Sequence, residues 1–344
     1  ILSHAAAVAA SYKTVPPRYD AILVLSFGGP EKPEDVMPFL ENVTRGRNVP
    51  RERLEEVAEN YMMFGGRSPI NDQCRELIGA LKAELSVHSI DLPIYWGNRN
   101  WHPFIEDTMR QMAADGIRRA IVFVTSAYSS YSACRQYLED IERARGAVGE
   151  GAPECVKLRH FYDRPGFLDA LADRLQSAFD RIPEGERAAA HLLFTAHSVP
   201  LSMAQSSRYV QQLEEVAAHL AGRVGHGDYR LVWQSRSGPP SQPWLEPDIK
   251  DAISEIAAGG GSRVVVVQPI GFISDHMEVI VDLDTQAMEH ARSLGLEMVR
   301  AGTAGTHPRF VSMIRELIEE RLNSGEGANP CLANCCPSPM MLAG

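Results

Sequence analysis

At 344 residues, 44% hydrophobic and 23% charged, the chain has a globular composition and the length for two domains of ordinary size, with a core in each. Its formal net charge of −10 excludes general nucleic-acid binding, which needs a basic footprint, and disfavours tight attachment to an anionic bilayer. It contains no apolar run of about 18 residues, so no segment is expected to span a membrane.

The start, Ile1 to Ala10, is weakly apolar and lacks the basic leader of a signal peptide, so residues 1–19 read as a disordered tail. Ala21 to Phe27 is an apolar strand stopped by Gly28-Gly29-Pro30. Pro33-Glu34-Asp35 then opens a helix, with proline and acids in its first turn. This strand–glycine–helix junction is neither a P-loop nor a dinucleotide fingerprint, so a nucleotide-binding function is not expected. Residues 31–70 differ in texture. Two helical faces (Met37, Phe39, Leu40, Val43; then Leu54, Val57, Ala58, Tyr61, Met62) flank a basic turn, Thr44 to Pro50, and end at Phe64-Gly65-Gly66-Arg67-Ser68-Pro69. They read either as a lip over an apolar, anionic ligand or as a surface hairpin with a solvated arginine turn.

Helices are expected over Asp72–Ser86, Pro103–Asp115, Cys134–Arg145 and Gly166–Asp180, and strands over Arg119–Thr125 and Val156–Phe161, while Pro93 to Asn100 reads as a short strand running into a polar loop. Ser126 to Ser132 is a hydroxyl-rich loop. With Tyr128, Tyr131 and Tyr137 it suits a flat aromatic ligand with carboxylate arms, or, more plainly, serine caps and core tyrosines.

The second half repeats the first. His191 to Pro200 mirrors Ile22 to Pro30, placing His197 where Gly28 sits; Tyr229 to Ser237 mirrors Ile94 to Asn100; Trp244 to Ala257 mirrors Phe104 to Asp115; Arg263 to Gly271 mirrors Arg119 to Ser126. The fold expected is therefore α/β: two similar doubly wound, Rossmann-like lobes with parallel sheets facing a central cleft. The first lobe spans residues 20–165 with the lip at 31–70, and the second spans 166–323. A closing helix covers Arg315 to Leu322, and a Cys-rich tail occupies 324–344.

Val264 to Val267 is apolar without alternation, as in a strand buried on both faces. After Gln268-Pro269, Ser274 and Asp275 are expected to cap a helix that is apolar except for His276, Glu278 and Asp282. Carboxylates on so apolar a helix are costly unless paired, protonated or bound to a cation, so the stretch reads as a site for protons or a metal ion. The ordinary alternative is a helix whose acids cap and face water. His197, at the mouth of an equivalent strand, is structural or completes such a site: an imidazole and a carboxylate are the minimum kit for a borderline divalent ion or for proton transfer. Cys331, Cys335 and Cys336 crowd the tail, and Cys155 offers a fourth thiol. These suit a zinc ion or an iron–sulfur cluster, or else a disordered tail with free thiols. Six unevenly spaced cysteines are no disulfide framework, and the cytoplasm is the expected compartment.

Leu25 to Pro30, Phe194 to Pro200, Trp233 to Pro239 and Gly271 to Glu278 together resemble the ferrochelatase family, in its actinobacterial coproporphyrin III branch, over about residues 20–322. That resemblance implies insertion of Fe²⁺ into a porphyrin with loss of two pyrrole protons. The family's catalytic histidine falls on His197 and its metal-side carboxylate on Glu278, with His276 and Asp282 as relay. Propionate contacts fall around Arg45, Ser68, Tyr131 and Tyr137. Some relatives place a tyrosine near the metal where this chain has Phe27. The resemblance also implies a [2Fe–2S] cluster on Cys155, Cys331, Cys335 and Cys336, and partners limited to porphyrin, Fe²⁺ and transient contacts with haem-pathway enzymes. The alternatives are a protoporphyrin ferrochelatase, a cobalt or nickel tetrapyrrole chelatase, and a tetrapyrrole or metal carrier.

Overall fold

The structure, a computed structural model, describes residues 18–46, 49–238, 241–324 and 336–337. The first half runs β1 (Ala21–Ser26), α1 (Pro33–Val43), α2 (Arg51–Met62), α3 (Ile70–Val87), β2 (Ile94–Asn98), α4 (Ile105–Ala114) and β3 (Arg119–Val124). A π-helical turn (Tyr131–Arg135) leads into α5 (Gln136–Val148), followed by β4 (Glu154–Lys157) and α6 (Pro165–Phe179). The second half runs α7 (Glu184–Arg187), β5 (His191–His197), α8 (Leu201–Gln205), α9 (Tyr209–Arg223), β6 (Tyr229–Gln234), α10 (Ile249–Gly259) and β7 (Val264–Gln268). Then α11 (Met277–Val279) passes into a π-helix (Ile280–Ala287) and α12 (Met288–Ser293), and β8 (Glu297–Arg300) and α13 (Pro308–Ser324) follow.

Each half carries a four-stranded parallel sheet, in the orders β2-β1-β3-β4 and β6-β5-β7-β8. The same permutation twice is the expected repeat. In each sheet the order reverses beside the first strand, and ligands of open α/β sheets bind at the carboxyl ends of strands there. Every residue of β1 and of β7 is buried, which explains their unbroken apolar runs.

Alternation then sorts the side chains. Leu23, Leu25, Val122 and Val124 pack under α4 and α5, while Leu193, Val232, Val265 and Val267 pack under α10 and the π-helix. The opposite faces do not close separately. Ile22, Val24 and Phe123 of one sheet and Leu192, Phe194 and Val266 of the other share one cluster with α3, α6, α9 and α13. Phe310 of α13 is fully buried there against Phe161 and Phe167, at centroid distances of 5.7 and 5.9 Å. Burying a side chain of that size contributes roughly 1.5–3 kcal/mol, so the shared cluster holds the lobes in fixed relation. Over this frame α1 and α2 form a small cluster of their own around Val36, Phe39, Leu40, Leu54 and Ala58, the expected lip.

Several sequence expectations shift. The strand expected over Val156–Phe161 is Glu154–Lys157, set by pairing of Cys155 with Ala120. β8 has no counterpart in the sequence reading. Neither Ser274 nor Asp275 caps the site helix: His276 is the N-cap, its Nδ1 accepting the Glu278 N–H at 3.3 Å. Finally, Asn98 bridges Phe104 and Trp233 bridges Asp248, which makes Asn98 and Trp233 equivalent. Ser26 pairs with Asn98 and Ala196 with Trp233, so His197 stands where Phe27 stands, one residue before the position of Gly28.

Candidate active site

The strand ends of both sheets open on one cleft. His197 is the last residue of β5, and a third of its side chain remains open to solvent. Its ring is fixed from behind: Nδ1 donates to the Ser198 carbonyl, and the Tyr209 hydroxyl donates to the His197 carbonyl at 3.0 Å. Nε2 is thereby left facing the cleft, 3.5 Å from Oε1 of Glu278. Gly271 allows this closeness of β5 to the loop after β7, because a Cβ there would lie 2.5 Å from that of Ala196.

The two side chains charge one another. Burial works against ionisation of His197, but the Glu278 carboxylate and the Ser198 carbonyl outweigh it and raise the imidazole to about 9. Burial likewise opposes the Glu278 carboxylate, yet His197 beside it holds the carboxyl down at about 2. At neutral pH the pair is an ion pair, with both groups still partly open to the cleft.

Behind Glu278 the acidic line continues along the π-helix. Burial and the Glu278 charge push Asp282 up to about 6, within reach of neutral pH. Its Oδ2 accepts from the Ser235 hydroxyl and, at 3.4 Å, from the Gln234 amide, which also donates to the Glu278 carbonyl at 3.2 Å. Ser235 sits at φ +61, a conformation that costs free energy in a non-glycine residue and recurs at functional sites. His276 is kept neutral by burial, and its ring lies 5.0 Å from that of Phe272.

The front wall is the lip. Phe27 packs edge-on to Phe39 at 6.3 Å, and Phe39 to Tyr61 and Trp101 at 5.9 and 6.2 Å. Burial and the Glu278 charge raise the Tyr61 hydroxyl, so it stays protonated. Met62, Met63 and Phe64 are exposed at the rim.

The structure thus brings His197, Glu278, His276 and Asp282 within electrostatic reach of one another, and places Phe27 in the aromatic wall whose Tyr61 feels the Glu278 charge. Other predicted residues stand apart. Arg45 is exposed past the end of α1, with no ion pair among the described residues. Ser68 is buried, its hydroxyl accepting the Ile70 N–H at 3.4 Å at the start of α3. Tyr131 donates to Glu139 at 2.9 Å. Tyr137 lies in the core beneath Arg99, whose guanidinium carbon is 4.5 Å from the ring centroid. Gln234, Tyr61 and Tyr209 carry parts of the site that sequence reasoning did not single out. Their only signal was position at a strand end or on an apolar helix face.

The tail cysteines give less. Cys331 and Cys335 lie outside the described residues, as does all but the end of the predicted N-terminal tail. Cys336 is buried. Burial pushes the Cys155 thiol up to about 12. Among the described residues no three His, Cys, Asp or Glu side chains are grouped to hold a metal ion, so they do not by themselves make a cluster site.

Two matched parallel-sheet lobes, with a histidine–carboxylate pair just past the strand ends of the second, are the arrangement of a chelatase-type protein. SirB from Bacillus subtilis, solved with Fe³⁺, shares the fold, with a TM-score of 0.55 and 13% identity over 91% of this chain and 99% of SirB. The family model for ferrochelatase matches residues 19–322, and the chain belongs to the ferrochelatase family, enzymes that insert iron into a porphyrin. It is 51% identical to the coproporphyrin III ferrochelatase of Nocardia farcinica over 92% of this chain and 96% of that one. It is 52% identical to the ferrochelatase of Rhodopirellula baltica, over 93% and 94%.

Proposed function

We propose that the enzyme inserts Fe²⁺ into coproporphyrin III, with His197 and Glu278 as the reacting pair. The observation that carries this is the 3.5 Å approach of Nε2 to Oε1 at the meeting of the strand ends, with both groups open to the cleft. The reaction binds one Fe²⁺ to four ring nitrogens and releases two protons, so the site must deliver a cation and accept protons. Glu278 is suited to the cation because it stays ionised down to about pH 2.

His197 rests as an imidazolium and is no base while Glu278 is charged beside it. A cation arriving on the carboxylate cancels that field. Burial then pulls the imidazole pKa down, Nε2 gives up its resting proton to solvent at the open side of the ring, and the neutral imidazole can then take a pyrrole proton. Asp282, pushed up to about 6 and so within reach of protonation near neutrality, is suited to pass protons on from Glu278 along the π-helix. The Phe27–Phe39–Tyr61–Trp101 wall is fitted to grip a flat macrocycle. Holding the ring bent toward its metallated geometry lowers the barrier by differential binding. Arg45, Ser68 and Tyr131 are assigned here to the carboxylate arms, through movement of the lip onto the ring, with residues 20–165 and 166–323 as the two jaws.

The choice of porphyrin follows the names of the relatives, among them the Nocardia farcinica and Frankia alni enzymes. Anaerobic assay with Fe²⁺ tests it by absorbance. The expected result is a kcat/KM at least about tenfold higher for coproporphyrin III than for protoporphyrin IX, a discrimination within reach of a pocket that hydrogen-bonds the added carboxylates. Equal rates would return the alternative of a protoporphyrin enzyme, and faster cobalt or nickel insertion that of another chelatase. A cytoplasmic location belongs to the same reading. No helix among the described residues is long and apolar enough to cross a membrane.

A [2Fe–2S] cluster on Cys155, Cys331, Cys335 and Cys336 is a separate proposal. Its support is the crowding of three thiols near the end of the chain and the burial of Cys336. Purified anaerobically, the protein should show visible cluster absorbance that Cys336→Ser abolishes; a colourless wild-type protein removes the cluster.

A further inference from the structure

Glu278 lies two residues past the N-cap of its helix, so its position depends on the loop from Pro269 to His276. One residue of that loop, Asp275, is held from both lobes at once. From the first lobe, the Gln73 side chain of α3 makes two hydrogen bonds to its backbone. The Gln73 amide donates to the Asp275 carbonyl at 2.9 Å, and Gln73 Oε1 accepts the Asp275 N–H at 2.8 Å. From the second lobe, Arg300 of β8 binds the Asp275 carboxylate at 2.8 Å and reaches Asp284, beyond Glu278, at 2.9 Å. Arg300 is nearly buried, its side chain 16% exposed. The catalytic segment is thus pinned at both ends. Its N-terminal pin passes to His276, whose Nδ1 accepts the Glu278 N–H. Gln73 and Asp275 also wall a cavity of about 300 Å³ between the lobes, beside Ser26, Cys74 and Thr303, so no close packing there would replace the lost bonds.

We propose that Gln73 is a positioning residue for Glu278. It touches neither metal nor porphyrin. Instead it ties the start of the carboxylate's helix to the opposite lobe, and so holds Glu278 in place facing His197. The proposal rests on the reading of Glu278 as the metal-side group.

Gln73→Leu tests it, since leucine keeps the helix and most of the volume but makes neither bond. We expect kcat for Fe²⁺ insertion to fall about tenfold with KM for porphyrin within about twofold, because a small displacement of a reacting group slows chemistry without weakening binding of the ring. Glu84→Gln is the control: on the same helix it breaks the ion pair to Arg315 of α13, 3.2 Å long, far along the chain from the site loop. Its kcat should stay within about twofold of wild type. Wild-type kcat in Gln73→Leu, a rise in porphyrin KM alone, or an equal loss in Glu84→Gln would overturn the proposal. If Gln73→Leu does not fold, Gln73→Glu, which keeps the acceptor but not the donor, is read against the same criteria. Full activity in Glu278→Gln would instead remove the role of Glu278, whereas an inactive Glu278→Gln beside an unaffected Gln73→Leu would refute the positioning role alone.

Discussion

The charge between His197 and Glu278 is the setting from which any reaction in the cleft begins. The imidazole rises on folding from 6.5 to about 9, so its share of the pair's stability is complete below about pH 6.5 and is lost as pH climbs through 9. The carboxyl falls from 4.5 to about 2, so its share is present above about pH 4.5 and is lost as pH drops through 2. The pair's contribution to stability is therefore complete from about pH 4.5 to 6.5 and declines on either side, although both groups stay charged in the folded protein from about pH 2 to 9. Both groups are a third or more exposed, and solvent screening keeps its contribution to overall stability small. What it sets is the protonation state of His197. Glu278→Gln removes the main raising influence and leaves burial, which lowers the pKa. NMR titration of the ring should then move from above 7 in the wild type to below about 6.5 in Glu278→Gln. A ring that titrates at the same pH in both would show that Glu278 does not govern it.

At the scale of the elements, the strands were legible because burial wrote them plainly. The unbroken Val264–Val267 run reads as a strand covered on both sides, and β7 is one. β8 was not legible: Glu297-Met298-Val299-Arg300 is four residues long at a sheet edge, and its charged ends disguise the two apolar residues between them. The helix after β7 showed its apolar and acidic character in sequence but not its winding. From Ile280 to Ala287 it is π-helical, and the Thr285 hydroxyl donates to the Ile280 carbonyl five residues back at 3.2 Å. Nothing in residue type marks that widening. The error of one residue at His197 has a similar source, because equivalence between the lobes is fixed by pairing to β2 and β6, which the sequence of β5 does not contain. Tyr137 was ambiguous for another reason. A tyrosine near a hydroxyl-rich loop suits a ligand or a core equally, and only the neighbouring Arg99–Asp140 ion pair decides for the core.

Across the whole molecule, duplication explains why function was so legible. Two copies of one sheet order bring equivalent strand ends together, and the copies then diverge at the equivalent position: Phe27 in one, His197 in the other. One supplies an apolar wall with the lip and the other supplies the imidazole. The shared cluster around Phe123, Phe194 and Phe310 fixes the distance between them, so neither half carries a complete site. The most direct measurement of this account is the anaerobic rate of Fe²⁺ insertion into coproporphyrin III by His197→Ala, with porphyrin binding followed in the same samples by fluorescence. The account predicts that insertion falls at least about 100-fold, the scale of a lost general base, while porphyrin binds within a few-fold of wild type. Turnover at the wild-type rate would contradict it.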